Sequence, residues 1–274
     1  MEMHTVEGGG GLRLHVREWG NRQGPAILLI HGWSQSHLSW HHQYEGSLAE
    51  EFRLVALDNR GHGMSEKPLD DKHYHDPKLW ADDVAAVVSA LDLQRPVLAG
   101  WSYGGFIMSD YLRVYGEGSI SGLNYVCGAV MLNGSFDNIG PGFLDNAGRA
   151  SAPDLPTNIQ AMRSFVRACT AKPMSDEDLE SALCFNMVVP PQVRRSLITR
   201  SIDSADVLSN LAVPVLVTHG TEDTVVLPSM GQHVLDVCPT AEASWYEGVG
   251  HAPFLEDPER FDRELADFTR RANS

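Results

Sequence analysis

Ser102 lies at the centre of a glycine-rich hexapeptide, Gly100-Trp101-Ser102-Tyr103-Gly104-Gly105, that could present a reactive hydroxyl. The apolar residues before it predict a buried strand, and the apolar spacing after it predicts a helix. A serine on such a sharp strand-to-helix turn adopts strained backbone geometry, and glycines on either side let strand and helix approach. The Oγ would then stand at the sheet edge beside a helix N-terminus, as a candidate nucleophile. The alternative is a glycine-rich turn in which Ser102 only caps the helix.

A serine hydroxyl attacks a carbonyl efficiently only when a base takes its proton. His251 is the candidate base, because it follows the last predicted strand between small residues and titrates near neutral pH. Asp223, just beyond another predicted strand, is the candidate acid that would orient the imidazole. Glu222 and Asp137 remain open as alternative acids.

The attacked carbonyl becomes an oxyanion, which needs preorganised hydrogen-bond donors. The backbone N–H of Tyr103 supplies one, and the backbone N–H of Trp33, in His31-Gly32-Trp33-Ser34, could supply the other. Four apolar side chains are candidates for the substrate pocket, with packing between helices as the alternative for each: Phe143, Met162, Phe165 and Phe185.

The elements that must position these residues form an α/β pattern. Alternating or continuous apolar runs predict strands over 3–6, 12–18, 25–30, 53–58, 96–99, 127–132, 213–219 and 241–247. Helical spacing predicts helices over 37–51, 78–92, the stretch after Ser102, 228–237 and 258–272. Strands that alternate with helices indicate a mostly parallel sheet, in which the carboxyl ends of the strands line the ligand crevice.

The alternation is interrupted between about residues 137 and 205, where no strand is predicted. Helices are expected near 157–170, 175–186 and 191–202. We interpret this insertion as a helical lid over the carboxyl edge of the sheet. The predicted organisation is therefore a core in two parts, 1–136 and 206–274, with a lid over 137–205.

Composition excludes several classes of function. The net charge of −15 argues against nucleic acid and anionic membranes as partners. No apolar stretch is long enough to span a membrane, and no signal peptide is visible. The four cysteines and twelve histidines lack ligand spacing, so neither a metal nor a cofactor is predicted. We expect a cytoplasmic enzyme acting on a small molecule, with a homo-oligomer left open. Arg60 and His62 are expected to be structural.

These motifs together resemble the α/β-hydrolase family. The resemblance rests on the order serine, acid, histidine, on His31-Gly32, on the segment from Asp58 to Ser65, and on Gly250-His251. It spans nearly the whole chain and implies an eight-stranded, mostly parallel sheet with a lid. Within the family the chain is similar to the small esterases, the lactonases and the cofactor-free haloperoxidase and perhydrolase group.

The resemblance implies a serine hydrolase that cleaves an ester or lactone of a small, largely apolar or aromatic substrate through an acyl-enzyme. Epoxide hydrolases and haloalkane dehalogenases are set aside, because they carry aspartate where this chain has Ser102. Perhydrolases often have proline where this chain has Ser34, which weakens that alternative. Hydrolysis of a carbon–carbon bond in a diketone, a cofactor-independent lyase or oxygenase, and a ligand-sensing receptor on the same scaffold remain open.

Overall fold

The computed structural model of the protein describes residues 1–132 and 136–274. Its strands are, in chain order, β1 (Glu2–Glu7), β2 (Arg13–Gly20), β3 (Ala26–Ile30), β4 (Arg53–Leu57), β5 (Val97–Trp101), β6 (Gly122–Val126), β7 (Met131–Leu132), β8 (Ile202–Asp203), β9 (Val215–Gly220) and β10 (Ala241–Tyr246). Eight of them form one sheet in the order β1-β2-β4-β3-β5-β6-β9-β10. The β1–β2 and β2–β4 pairs are antiparallel, and the other five pairs are parallel. The predicted α/β class and the mostly parallel eight-stranded sheet are confirmed.

The sequence of the strands explains their places in the sheet. Every residue of β3, β5 and β6 is buried, as expected for central strands covered on both faces. In β2, Leu14 and Val16 are buried while the residues between them are partly exposed, as in an antiparallel strand near the sheet edge. Because β3 and β5 are direct neighbours, the residues that follow them meet at one edge.

Helices flank this sheet. They are α1 (His41–Glu45), α2 (Leu48–Glu51), α3 (Lys72–His75), α4 (Pro77–Ala90), α5 (Gly104–Tyr115), α6 (Pro141–Ala150), α7 (Leu155–Ala168), α8 (Asp176–Met187), α9 (Pro191–Ile198), α10 (Ala205–Leu208), α11 (Pro228–Val237), α12 (Pro253–Glu256) and α13 (Pro258–Ala272), with short 3₁₀ turns at Gly9–Gly11 and His37–Trp40. Side chains cap several of them: Asp154 accepts from the Thr157 N–H at the start of α7, and Ser175 from the Asp178 N–H at the start of α8. None of the described helices is both long and apolar enough to cross a bilayer.

Four helices, α6 to α9, lie between β7 and β8. Residues Met131–Leu132 pair antiparallel with Ile202–Asp203, so a two-stranded ribbon closes the base of this helical segment. The expectation of no strand between 137 and 205 was therefore wrong at Ile202–Asp203, because two residues are too few to produce a periodic pattern. Helix α6 was also missed, since Gly142 and Gly148 lower its helix propensity.

Two further predictions were wrong in their boundaries. The strand of the main sheet expected over 127–132 is instead β6, and of the expected range only Met131–Leu132 form a strand, the short β7. Cys127 lies just past the end of β6 at a positive φ of 43°. The segment after Cys127 leaves the sheet because it packs on the nucleophile turn, where the Ala129 N–H donates to the Ser102 carbonyl. The single helix expected over 37–51 is broken at Gly46, where a Cβ would come within 2.5 Å of an Asp262 carboxylate oxygen.

Candidate active site

Ser102 occupies the turn between β5 and α5 with a φ of 55°, in the left-handed region that non-glycine residues seldom adopt. Its N–H donates to the Val126 carbonyl at 3.0 Å, which fixes the turn to the neighbouring strand. The flanking glycines are needed for close approach. A Cβ on Gly104 would lie 2.5 Å from the Ile30 carbonyl oxygen, and one on Gly100 would lie 2.7 Å from the Gly104 carbonyl oxygen. The hexapeptide thus forms the tight strand-to-helix turn that its spacing predicts.

His251 and Asp223 form a buried pair. The His251 Nδ1 lies 2.7 Å from the Asp223 Oδ2, and the other carboxylate oxygen accepts from the N–H groups of Val225 and Val226. Burial by itself raises the pKa of Asp223, but the imidazole rings of His251 and His219 outweigh it, so the pKa lies well below its usual range. An ionised carboxylate at this position favours the tautomer of His251 that carries its proton on Nδ1.

The remaining ring nitrogen of His251, Nε2, is buried and has no hydrogen-bond partner among the described residues. The backbone of His251 lies close to the nucleophile turn, because the Trp101 indole N–H donates to the His251 carbonyl at 2.8 Å. The His251 ring also lies 5.5 Å from the Trp101 ring, so an unpaired basic nitrogen is carried on a residue packed against the nucleophile turn, as a candidate general base requires. Of the alternative acids, Glu222 and Asp137 are exposed, whereas Asp223 contacts the ring.

The segment that contains Trp33 lies directly against Ser102. A Cβ on Gly32 would come within 3.0 Å of the Ser102 Cβ. Outside the helices and strands, no described backbone hydrogen bond uses the N–H of Trp33 or of Tyr103 as a donor. These two N–H groups are therefore free to bind an oxyanion that develops next to Ser102.

Two neutral histidines hold this segment in place. His31 Nδ1 donates to the Gly32 carbonyl at 2.8 Å, and its Nε2 accepts from the Asn59 N–H. His62 Nε2 accepts from the Ser34 N–H at 3.1 Å. Burial lowers the pKa of His31 to about 4 and that of His62 to about 3, so both rings are uncharged at neutral pH.

Arg60 performs a second structural task nearby. It is fully buried, pairs with Asp83 at 2.7 Å, and donates to the carbonyls of Gly9, His73 and Leu79. These bonds tie the turn that carries His62 to α4 and to the start of the chain.

Sequence reasoning missed two residues around the His251–Asp223 pair. His219 Nε2 lies 2.9 Å from the Val226 carbonyl and 3.3 Å from the Asp223 Oδ2, so a second histidine contacts the same carboxylate. Cys127 is also close, and burial raises the pKa of its thiol well above the usual value. The position of His219 at the end of β9 was visible in the sequence, but nothing local indicated that its ring turns toward Asp223.

Three groups of side chains among the described residues lie close enough to hold a metal ion: Cys127 with His219 and Asp223, His15 with His37 and Asp58, and Glu2 with His4 and Glu18. In each group the buried carboxylate already has N–H donors. Asp58, for example, accepts from the backbone of His37 and of Met64 and from the His37 ring. A metal-free site remains our prediction.

A small apolar cavity of about 30 Å³ adjoins Ser102. Its walls are aliphatic and aromatic side chains from the core, the helical segment and the loop after β9: Trp33, Tyr103, Phe106, Ala129, Leu132, Ile139, Phe143, Leu197, Ile198, Val225 and Val226. Of the four predicted pocket residues, Phe143 is the one that lines it.

The other three predicted pocket residues do not line this cavity. Phe165 packs edge-on against Trp33 and Phe143, two side chains that line the cavity. Met162 is fully buried in the packing of the helical segment. Phe185 lines a separate groove of about 910 Å³ between α8 and α1, together with the exposed Cys184. Helical spacing shows which face of a helix is apolar, but not which cavity that face borders.

The chain is similar over nearly its whole length to known esterases. A family model for the alpha/beta hydrolase family matches residues 27–264. A bifunctional esterase/perhydrolase from Acinetobacter calcoaceticus is 28% identical over 95% of this chain and 97% of its own length. The crystal structure of the esterase RhEst1 from Rhodococcus sp. ECU1013 is 34% identical, with a TM-score of 0.92 over 98% of this chain and 99% of its own.

A crystal structure from Burkholderia cenocepacia, of a protein provisionally assigned as an aryl esterase, is also 34% identical. Its TM-score is 0.94, with 99% of each chain covered. The family match, the fold and these similarities all agree. The chain belongs to the α/β-hydrolase family, in its esterase branch near the haloperoxidases and perhydrolases, and is a hydrolase.

Proposed function

We propose that this protein is a serine esterase that cleaves esters of short, uncharged acyl groups through an acyl-enzyme on Ser102. The observation that carries the proposal is the buried His251–Asp223 pair, whose Nε2 is unpaired close to the nucleophile turn. Similarity to esterases supports ester hydrolysis in general. The cavity beside Ser102 supports the restriction to short, uncharged acyl groups.

In the proposed reaction, Ser102 Oγ attacks the ester carbonyl while His251 Nε2 takes the hydroxyl proton. The N–H groups of Trp33 and Tyr103 bind the oxyanion of the tetrahedral intermediate. Each such donor typically contributes about 2.7–4 kcal/mol to the chemical step. The intermediate collapses with loss of the alcohol, which leaves with the proton held by His251. A water molecule, deprotonated by His251, then attacks the acyl-enzyme and releases the acid and free Ser102.

The size of the cavity restricts the acyl group. Its volume of about 30 Å³ is close to the space that one water molecule occupies in the liquid, and its walls are almost wholly apolar. An acyl chain of two or three carbons, counting its carbonyl carbon, fits such a space. A carboxylate on the acyl chain would be buried there without a partner. The small cavity therefore favours short-chain esters over a diketone substrate. Because the acyl cavity is this small, an aromatic group of a substrate would have to be in the alcohol part of the ester.

Transfer of the acyl group to hydrogen peroxide instead of water is the second candidate activity. It would use the same acyl-enzyme and release a peracid, and it is favoured by the similarity to a bifunctional esterase/perhydrolase. We also propose that residues 137–205 function as the lid and that the enzyme is cytoplasmic.

The test is covalent labelling with a fluorophosphonate, followed by intact mass measurement and peptide mapping. A single adduct on Ser102 is expected, and it should be lost in Ser102→Ala and His251→Ala. In parallel, p-nitrophenyl acetate should turn over many times and p-nitrophenyl hexanoate slowly. No adduct on folded protein would refute the proposal, and rapid hexanoate turnover would refute the acyl class.

A further inference from the structure

Arg194 of α9 is a buried arginine that joins the helical segment to the candidate oxyanion site. Its side chain is fully inaccessible to solvent. Its Nη1 donates to the carbonyl of Ala150 and to the side-chain oxygen of Asn158, both at 2.6 Å, and its Nη2 donates to the carbonyl of Asn186 at 2.7 Å. Its Nε donates to the Ser34 hydroxyl at 3.0 Å. One guanidinium thus contacts α6, α7, α8 and the segment next to Ser102.

All of these partners are neutral. Among the described residues Arg194 forms no ion pair, and burial alone lowers its pKa, to about 10. The guanidinium therefore stays charged at neutral pH although its side chain is inaccessible to solvent. Arg200, the other buried arginine of this part of the chain, differs because Asp110 neutralises it at 2.7 Å. A buried charge without a counter-ion is costly, and such groups concentrate at functional sites.

The contacts of Arg194 converge on the donor Trp33. The Trp33 indole N–H donates to the Arg194 carbonyl at 3.1 Å. The next residue, Ser34, has a φ of 63°, and its hydroxyl donates to the Asn186 carbonyl while accepting from Arg194. The side chains of Trp33 and Ser34 are therefore both held by the helical segment, which restrains the stretch of backbone that carries the Trp33 N–H.

We propose that Arg194 is a positioning residue for the oxyanion site. It holds the Trp33–Ser34 segment in its strained conformation, and its unneutralised charge favours the oxyanion over the uncharged ester. This inference rests on the proposed esterase function.

The test compares an anionic transition-state analogue with the ester itself. An alkylboronic acid forms a tetrahedral anion on an active-site serine, so its affinity reports on oxyanion stabilisation, whereas KM for the ester reports mainly on the ground state. In Arg194→Met we expect kcat to fall roughly 10- to 100-fold, boronate affinity to fall in parallel, and KM to change less than about threefold. Arg194→Lys keeps the charge and should lie between wild type and Arg194→Met.

Two further variants serve as a control and as an independent test of the Arg194–Ser34 contact. Arg195→Met removes an exposed arginine of the same helix, which donates to the Ser151 carbonyl, and should leave kcat and boronate affinity unchanged. Ser34→Ala removes the acceptor of the Arg194 Nε and should lower boronate affinity severalfold. All rates are expressed per site titrated with fluorophosphonate, so that partial unfolding does not imitate a loss of catalysis.

If folded Arg194→Met binds the boronate as tightly as wild type, the arginine is only structural and the proposal is overturned. If Arg194→Met does not fold, wild-type boronate affinity in both Arg194→Lys and Ser34→Ala overturns it equally. Absence of ester hydrolysis and of a Ser102 adduct in the wild-type protein is a different result, which refutes the proposed function instead.

Discussion

The Glu256 carboxylate accepts a hydrogen bond of 2.7 Å from the backbone N–H of Gly250, the residue before His251. Its other oxygen accepts from the N–H groups of Ala171 and Lys172, in the loop after α7. The two loops touch so closely that a Cβ on Gly250 would lie 2.6 Å from the Ala171 nitrogen. One carboxylate therefore joins the proposed lid to the loop that carries His251.

Glu256→Gln should weaken this connection, because an amide offers one acceptor oxygen where the carboxylate uses two. We expect a loss of about 1–2 kcal/mol in the free energy of unfolding, a severalfold fall in kcat/KM, and faster amide exchange at residues 170–172. Hydrogen-exchange mass spectrometry and steady-state kinetics measure these effects. Glu259→Gln, an exposed residue of α13, is the control. Unchanged exchange at 170–172 would contradict the prediction.

His219→Phe should change the pH dependence of catalysis. The His219 ring helps to hold the pKa of Asp223 low, so removing it raises that pKa. Because activity requires the ionised carboxylate, the acidic limb of the kcat/KM profile should become steeper, with roughly a tenfold loss at its acidic end, where Asp223 of the variant becomes protonated. His219→Gln keeps a donor and should change the limb less. Profiles that superimpose on that of the wild type would show that His219 does not act on Asp223.

Ile198→Ala should lengthen the acyl chain that the enzyme accepts. Ile198 lines the cavity beside Ser102. Removing its side chain adds space for two or three carbons, so kcat/KM for p-nitrophenyl hexanoate should rise about tenfold while the value for acetate changes less than about threefold. Val188→Ala, in the separate groove lined by Phe185, should leave both values unchanged. Equal changes for acetate and hexanoate would place the acyl chain elsewhere.

His62→Gln should destabilise the protein most strongly at neutral pH. Burial lowers the pKa of His62 from 6.5 to about 3, so the unfolded chain binds its proton first and the stabilisation by the neutral ring declines as pH falls below about 6.5. At pH 7.5 we expect a loss of about 1–3 kcal/mol, from the bonds to Ser34 and Arg60. The difference from wild type should shrink by about 1 kcal/mol per pH unit below pH 6.5, so that it approaches zero or changes sign by about pH 4.

Urea unfolding of both proteins at several pH values measures this difference directly. The comparison is preferable to the wild-type curve alone, because burial raises the pKa of Asp110 and of Asp262 to about 6, and their titration acts in the opposite direction. A difference that stays constant from pH 7.5 to pH 4.5 would mean that His62 does not titrate on unfolding.

The sequence was most informative where function depends on local geometry. The glycines around Ser102 and the glycine before His251 are required by close backbone approach, so their spacing predicted the turns that carry these residues. The sheet followed from apolar runs in the same way. The glycine spacing and the apolar runs can each be recognised within a few neighbouring residues.

The features that were missed depend on contacts between distant parts of the chain. Arg194 and Ser34 are 160 residues apart, and Gln43 reaches Asp262 across 219 residues. Neither contact has a spacing that a sequence pattern can reveal. The places of Phe185 and Met162 could not be predicted for the same reason, since a sequence pattern does not show which cavity an apolar side chain borders.

One of the four cysteines, Cys184 in the helical segment, is exposed and can be labelled selectively. Cys127, Cys169 and Cys238 are buried, and burial raises the thiol pKa of the first two, whereas Cys184 is exposed on α8. Thiolates are the species that alkylating reagents attack. A maleimide dye would therefore attach to α8 at one known position, beside the groove lined by Phe185. The unmodified sequence thus already carries an attachment point from which fluorescence can follow movement of this helix during turnover.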